Sequence, residues 1–236
     1  MAEHSSFATA ANIFAAPNEA FEAIKQRPTA LLPLLVLITA YCAVSFAYTT
    51  AVDVPWMIEQ QLESSGAQMS DAERAQAVRA ATAIQPAALG AIGAVASSIF
   101  LVLWIFVVAL YYTGISFATN DGIKLKQWFS LISWCALPLV LGVIATIVNV
   151  LAGDVRFVMQ DEINPLSFGN LFSIKPEEPS MVQRVLVSLD VTAMWTIALT
   201  VLAYQAWTKR SLVKSVAIVL GPLAAIVLIT TLFTLL

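Results

Sequence analysis

Charge is scarce in this chain. Asp, Glu, Lys and Arg make up 11% of its 236 residues, against roughly 25% in an average soluble domain. So little charge cannot wet an ordinary protein surface, which excludes a soluble globular fold. Histidine occurs once, as His4 in the N-terminal tail. No His-Glu-x-x-His segment, Cys-x-x-Cys pair or Gly-x-x-x-x-Gly-Lys-Ser/Thr loop is present, so the usual zinc-hydrolase, redox and nucleotide-phosphate signatures are missing. Gly153-Asp154 has the look of an intramembrane aspartyl protease acid, but it has no partner motif. Cys42 and Cys135 are the only cysteines, both within apolar stretches. A disulfide framework needs more of them in a wet, oxidising setting, and these two read as small reduced hydrophobes. The net charge of −3 and the pI near 5.1 argue against nucleic acid as a partner. These absences predict no enzyme, no catalytic residues, no cofactor and no metal site.

What the chain has instead is apolar length. Hydrophobic residues make up 59% of it. They gather in Thr29 to Val52, Pro86 to Ala118, Trp128 to Ala152, Val185 to Trp207 and Lys214 to Leu236. Each approaches or exceeds the roughly 20 residues that carry a helix across a bilayer core. The expected fold is all-α: a polytopic membrane protein with a bundle of five transmembrane helices (29–52, 86–118, 128–152, 185–207 and 214–236). Polar loops at 53–85 and 153–184 separate them, and a cytoplasmic segment, 1–28, precedes them. That first segment opens without the basic-then-apolar pattern of a cleavable signal, and the first apolar run is long enough to stay in the membrane.

Residues 13–27 predict a short amphipathic helix. Pro17 suits a first turn, Glu19 and Glu22 come early, Lys25 and Arg27 come late, and Ala20, Phe21 and Ile24 share a face. Two readings fit it: an anchor lying in the cytoplasmic leaflet, or a helix packed beneath the bundle. Further on, Val54 to Leu62 reads as a short amphipathic stretch, and Ser70-Asp71-Ala72-Glu73 has capping-box spacing that starts a helix running to about Ala83.

The second apolar run, at 33 residues, is about 50 Å of helix and must tilt, kink or protrude. Its first third is rich in small residues, and Gly90, Gly93, Ala94, Ser97 and Ser98 form a candidate face for helix packing or for a partner. Asn120-Asp121-Gly122 signals a turn. Pro138, Gly221 and Pro222 are candidate hinges. Asp190 and Asn149 are the candidate intramembrane polar sites. A carboxylate in hydrocarbon costs about 2.5–3.5 kcal/mol on insertion scales and points to function by default. The competing reading has Asp190, about two turns inside its stretch, facing water or pairing locally, and Asn149 bonding another helix. Trp56, Trp128 and Trp207 lie near span ends, as an aromatic belt predicts; Trp104, Trp134 and Trp195 lie deeper.

Lys25, Arg27, Lys124, Lys126, Lys209, Arg210 and Lys214 all fall on the side of the N-terminus. The positive-inside rule therefore puts that terminus in the cytoplasm and, with five spans, the C-terminus outside.

Three pieces of the chain, in order, are similar to one family. Asn12-Ile13-Phe14-Ala15-Ala16-Pro17 with Ala20-Phe21 and Ile24 resembles the opening of bacterial Yip1-domain proteins. Lys126-Gln127-Trp128-Phe129-Ser130 with Ala136-Leu137-Pro138-Leu139-Val140-Leu141-Gly142 resembles their central span. Leu189-Asp190, Trp195, Leu199 and Lys209-Arg210-Ser211 resemble their fourth span and the loop after it. The resemblance implies a small helical bundle without catalytic residues. Eukaryotic members are associated with Rab-type GTPases and membrane traffic, and some bacterial ones with ABC-type export systems as accessory subunits.

The expected function is therefore a non-enzymatic inner-membrane scaffold, possible as an oligomer. It would bind lipid and other integral membrane proteins, with an ABC-type efflux or export complex as the most concrete partner. Two alternatives stand beside it: a transporter or lipid-handling protein with Asp190 on its path, and a trafficking adaptor of the eukaryotic type. The alanine-rich, cysteine-poor composition points to a bacterial source.

Overall fold

The computed structural model describes residues 5–65, 69–174, 183, 187 and 189–235, and among them the fold is helical, with a single isolated bridge between Ser167 and Asp190. The order is α1 (Ser6–Ala15), α2 (Pro17–Gln26), α3 (Leu31–Ala51), α4 (Val54–Ser64), α5 (Asp71–Thr82), α6 (Pro86–Thr119), α7 (Leu125–Cys135), α8 (Leu139–Ala152), α9 (Phe168–Leu171), α10 (Val191–Thr208) and α11 (Leu212–Leu235). Three helical stretches are long and apolar enough to cross a membrane: α3, α6 and the α7–α8 pair taken together. Residues 175–182, 184–186 and 188, where the fourth apolar stretch was expected to begin, lie outside the described residues.

The N-terminal region differs from the expectation of one helix over 13–27. Ser5 caps a separate helix, α1, by accepting from the Ala8 N–H at 3.2 Å. Ala16, at φ −145° and ψ 65°, breaks the chain before Pro17 opens α2. Ala20, Phe21 and Ile24 are indeed on one face of α2, but that face is buried against α7 and α10. Its apolar surface is covered by protein, the arrangement expected of a helix packed beneath the bundle.

Pro138 breaks the third apolar stretch into α7 and α8. The break is a tightened turn: Leu139, Val140 and Leu141 donate to the carbonyls of Ala136, Leu137 and Pro138, all at 3.0 Å. Three-residue bonds thus take over where proline has removed a donor.

α3 packs most extensively against α6 and also against α8; α6 meets α7, and α10 meets α11. The contacts between connections sort them to two ends. At one end Asp53 N–H donates to Arg156 O (2.9 Å) and the Tyr48 hydroxyl to Val158 O (2.9 Å), joining the α3 terminus to the loop after α8. At the other, Arg210 meets Asp121, and the Lys25 ammonium reaches the Trp207 carbonyl (3.4 Å). The core that fills the latter end is aromatic. Trp128 stacks on Tyr204 with centroids 5.6 Å apart, and Tyr112 and Trp207 close around them.

That core corrects the aromatic-belt expectation. Trp128 and Trp207 are 1% and 4% exposed, and they sit inside the protein at the depth of the span ends. Their indole N–H groups donate to Ser116 Oγ (2.9 Å) and Phe21 O (3.0 Å). A buried indole needs such a partner, and here the partners join α7 to α6 and α10 to α2.

Candidate functional site

The small-residue stripe on α6 is already occupied. A Cβ on Gly90 would stand 2.7 Å from Thr49 Oγ1 and 2.8 Å from a Phe46 ring carbon; one on Gly93 would stand 2.6 Å from Ser45 Oγ. Ser45 donates to the Gly90 carbonyl at 3.0 Å. Ala94 is buried, and Ser98 bonds Ala94 O at 2.6 Å and lies 3.7 Å from Cys42 Sγ, while Ser97 bonds Ala94 O at 3.2 Å. The stripe therefore receives this chain's own α3. Close approach of backbones in lipid requires such small residues, and what α6 turns outward is different: Ile92, Val95, Ile99, Leu103, Phe106 and Leu110. Their spacings of three or four residues draw one apolar ridge along the helix.

Asp190 does not lie two turns inside a helix. It stands in extended backbone, φ −125° and ψ 170°, as the N-cap of α10. Its Oδ1 accepts from Ala193 N–H (2.6 Å) and Thr192 Oγ1 (2.7 Å), and its Oδ2 from Asn164 Nδ2 (2.6 Å). The cap position explains why a carboxylate is tolerated here: the orphan N–H groups and positive end of the helix favour a negative charge. Phe168 N–H donates to Leu189 O at 2.8 Å, so loop 153–167 is laced to the start of α10. Gly142 of α8 lies directly against this node; a Cβ there would be 2.8 Å from Thr192 Oγ1 and 3.0 Å from Asp190 Oδ2. Asn149, expected to bond a neighbouring helix, instead donates to Ile163 O in the same loop at 2.9 Å. Asp190 and Asn149 thus serve one structure, the loop that closes this end of α8 and α10.

Between α6, α7–α8, α10 and α11 lies an apolar cavity of about 280 Å³. Leu101, Ile105, Ile132, Ile197 and Pro222 contribute to its walls, and Leu189 rather than Asp190 reaches it from the loop. The Thr196 hydroxyl, on the same wall, has no hydrogen-bond partner among the described residues. Pro222 lies within α11, and the carbonyl it deprives of a donor, that of Ile218, accepts from the Tyr111 hydroxyl at 2.8 Å. Gly221 makes room for that hydroxyl: a Cβ would be 2.9 Å from it. Of the three candidate hinges, then, Pro138 is closed by local turn bonds and Gly221-Pro222 is braced by α6.

Sequence reasoning missed Tyr111, Thr196 and the Asp121–Arg210 pair. Pro222 held the signal for Tyr111, because a proline inside a helix always leaves a carbonyl seeking a donor; which hydroxyl supplies it is a matter of packing. Among the described residues no three His, Cys, Asp or Glu side chains come together in a way that could hold a metal ion.

No curated protein and no solved structure matches the chain. A family model described as the Yip1 domain matches residues 11–234, from α1 through α11. That match covers nearly the whole polypeptide, so the protein is a membrane protein belonging to the Yip1 domain family.

Proposed function

We propose that this protein is a non-enzymatic accessory subunit that works by lateral association with other integral membrane proteins in a bacterial inner membrane. An ABC-type export complex is the most concrete partner. One observation carries the reading: the outward ridge of α6, from Ile92 to Leu110, remains uncovered after the small-residue face has been filled by α3. The polar side chains inside the bundle act as ties. Asp190 caps, Asn149 holds a loop and Tyr111 braces a kink. In this reading α10 and α11 are the fourth and fifth spans, the N-terminus is cytoplasmic and the C-terminus lies outside. The sorting of connections to two ends supports the first four passages of that threading, since α3, α6, α7–α8 and α10 each run from one set of contacts to the other. Purification of the tagged chain in a mild detergent tests the proposal. Stoichiometric co-elution of an ABC permease or ATPase supports it, and a chain that elutes alone under every mild condition removes it.

The cavity favours a second reading, a lipid-handling protein. Its apolar wall and the Thr196 hydroxyl, without a partner among the described residues, suit an amphiphile with one hydrogen-bonding group. Reconstituted into liposomes, such a protein would move labelled lipid between leaflets, and no movement above protein-free vesicles would dismiss this alternative.

A further inference from the structure

Two connections meet at the Trp207 end of the bundle. One joins α6 to α7, and the other joins α10 to α11. Both turn sharply, with Asn120, Gly122 and Lys209 in left-handed backbone at φ 54°, 70° and 57°. They are fastened together by one ion pair. Arg210 Nη2 stands 3.1 Å from Asp121 Oδ1 and 3.3 Å from Oδ2, with the two side chains only 24% and 14% exposed. The Thr119 hydroxyl adds a 2.7 Å bond to the same carboxylate. A shielded, doubly bonded pair of this kind holds its geometry better than a pair in open water.

The pair also decides the charge of this end. Asp121 is the only acidic residue in 119–127 or 208–215, and Arg210 takes it up. Lys124, Lys126, Lys209 and Lys214 are all exposed, and no ion pair engages them among the described residues. The buckle between the turns therefore gathers four uncompensated ammonium groups, two from each connection, at one end of the bundle. Arg27, just after α2, is exposed as well, while Lys25 lies against Trp207, 5.9 Å above its ring. The opposing charges on α2 are Glu19 and Glu22.

We propose that this lysine collar binds the phosphate headgroups of anionic lipids. Lipid, rather than a soluble phosphate, is indicated by where the lysines stand. Lys124 and Lys126 flank Leu125 at the start of α7, and Lys214 follows the exposed Leu212 and Val213 at the start of α11. A lysine at the edge of an apolar helix lays its stem along the hydrocarbon and holds its ammonium at headgroup depth. Headgroups held by these lysines are therefore within one turn of lipid-facing surface. Headgroup binding of this kind requires membrane embedding but no protein partner, so the failure of either proposal leaves the other standing.

The test uses the full chain in nonionic detergent. It is titrated with phosphatidylglycerol or phosphatidylcholine of matched acyl chains, and bound lipid is counted by native mass spectrometry. The wild type should retain phosphatidylglycerol preferentially, and raised salt should weaken that preference. The variant K124Q/K126Q/K209Q/K214Q should lose the preference, by on the order of fivefold per lysine at low salt. R74Q/R79Q/R156Q, on the far end, should keep it. Should the quadruple variant fold poorly, K124Q/K126Q alone must still lower it measurably. Equal retention of the two lipids, an unchanged preference in the lysine variants, or displacement by inorganic phosphate at the concentration of the lipid would each overturn the proposal.

Discussion

The Tyr111 hydroxyl of α6 donates to the Ile218 carbonyl of α11 at 2.8 Å, replacing the donor that Pro222 lacks. In water a kinked helix hands its freed carbonyl to solvent. In hydrocarbon there is none, and an unpaired carbonyl is costly. Tyr111→Phe should therefore lower unfolding stability in detergent by about 1–2 kcal/mol. In a Pro222→Ala background, where the new residue supplies its own backbone N–H, the same change should cost less than half as much. A thermal or SDS unfolding cycle over the four proteins measures the coupling; additive effects would show that the hydroxyl serves something else.

Gly90 governs the distance between α3 and α6. Gly90→Leu must displace Phe46 and Thr49, with the Phe46 backbone itself only 3.3 Å from the new Cβ, and should cost about 2–3 kcal/mol. Gly114, on the same helix, has nothing within 4 Å of its would-be Cβ, so Gly114→Leu should leave melting in detergent nearly unchanged. Comparable losses from both would mean that α6 does not present its Gly90 face to α3.

Asp190 separates capping from transport. Asp190→Ala removes the acceptor for Ala193, Thr192 and Asn164, and should destabilise by about 1–2 kcal/mol. Asp190→Asn keeps an oxygen for the Ala193 N–H and should cost less than half of that. If Asp190 instead carried protons along a path, the asparagine variant would fold normally and lose all flux in a liposome assay.

The N-terminus of α5 should respond to pH. Glu73 Oε2 accepts from the Ser70 backbone N–H and from its hydroxyl, both at 2.8 Å, and these bonds hold its carboxyl below the usual carboxylate range. A depressed acid contributes stability above its unfolded pKa and loses it as pH falls through the folded value. Amide exchange in the first turn of α5 should therefore quicken as pH drops through the acidic range, once intrinsic rates are corrected for. Glu73→Gln should flatten that dependence, and an unchanged profile in Glu73→Gln would exclude the carboxylate as its origin.

The helices were more legible than their neighbours. Apolar length alone marks α3, α6 and α7–α8, and the Ser70 capping box marks the start of α5. Ser5 was the only signal for α1, and a lone serine before ten weakly patterned residues is a faint one. Hydropathy scores Phe21 and Phe117 alike, yet Phe21 is core and Phe117 is 87% exposed, because lipid and protein interior are equally dry. The same blindness hid the identity of the helix that fills the Gly90 stripe. Asp190 stood out as a charge, but its meaning turned on where α10 begins, one residue later, and in an apolar run no periodicity marks that boundary.

The most direct test of lateral association places a photo-crosslinking residue at Leu103, on the outer ridge of α6, or at Ile105, buried against the interior cavity, in living cells. The account predicts a discrete adduct with another integral membrane protein from Leu103, and only links within the chain from Ile105. Adducts with lipid alone at Leu103, and likewise at Ile99 and Phe106, would contradict it.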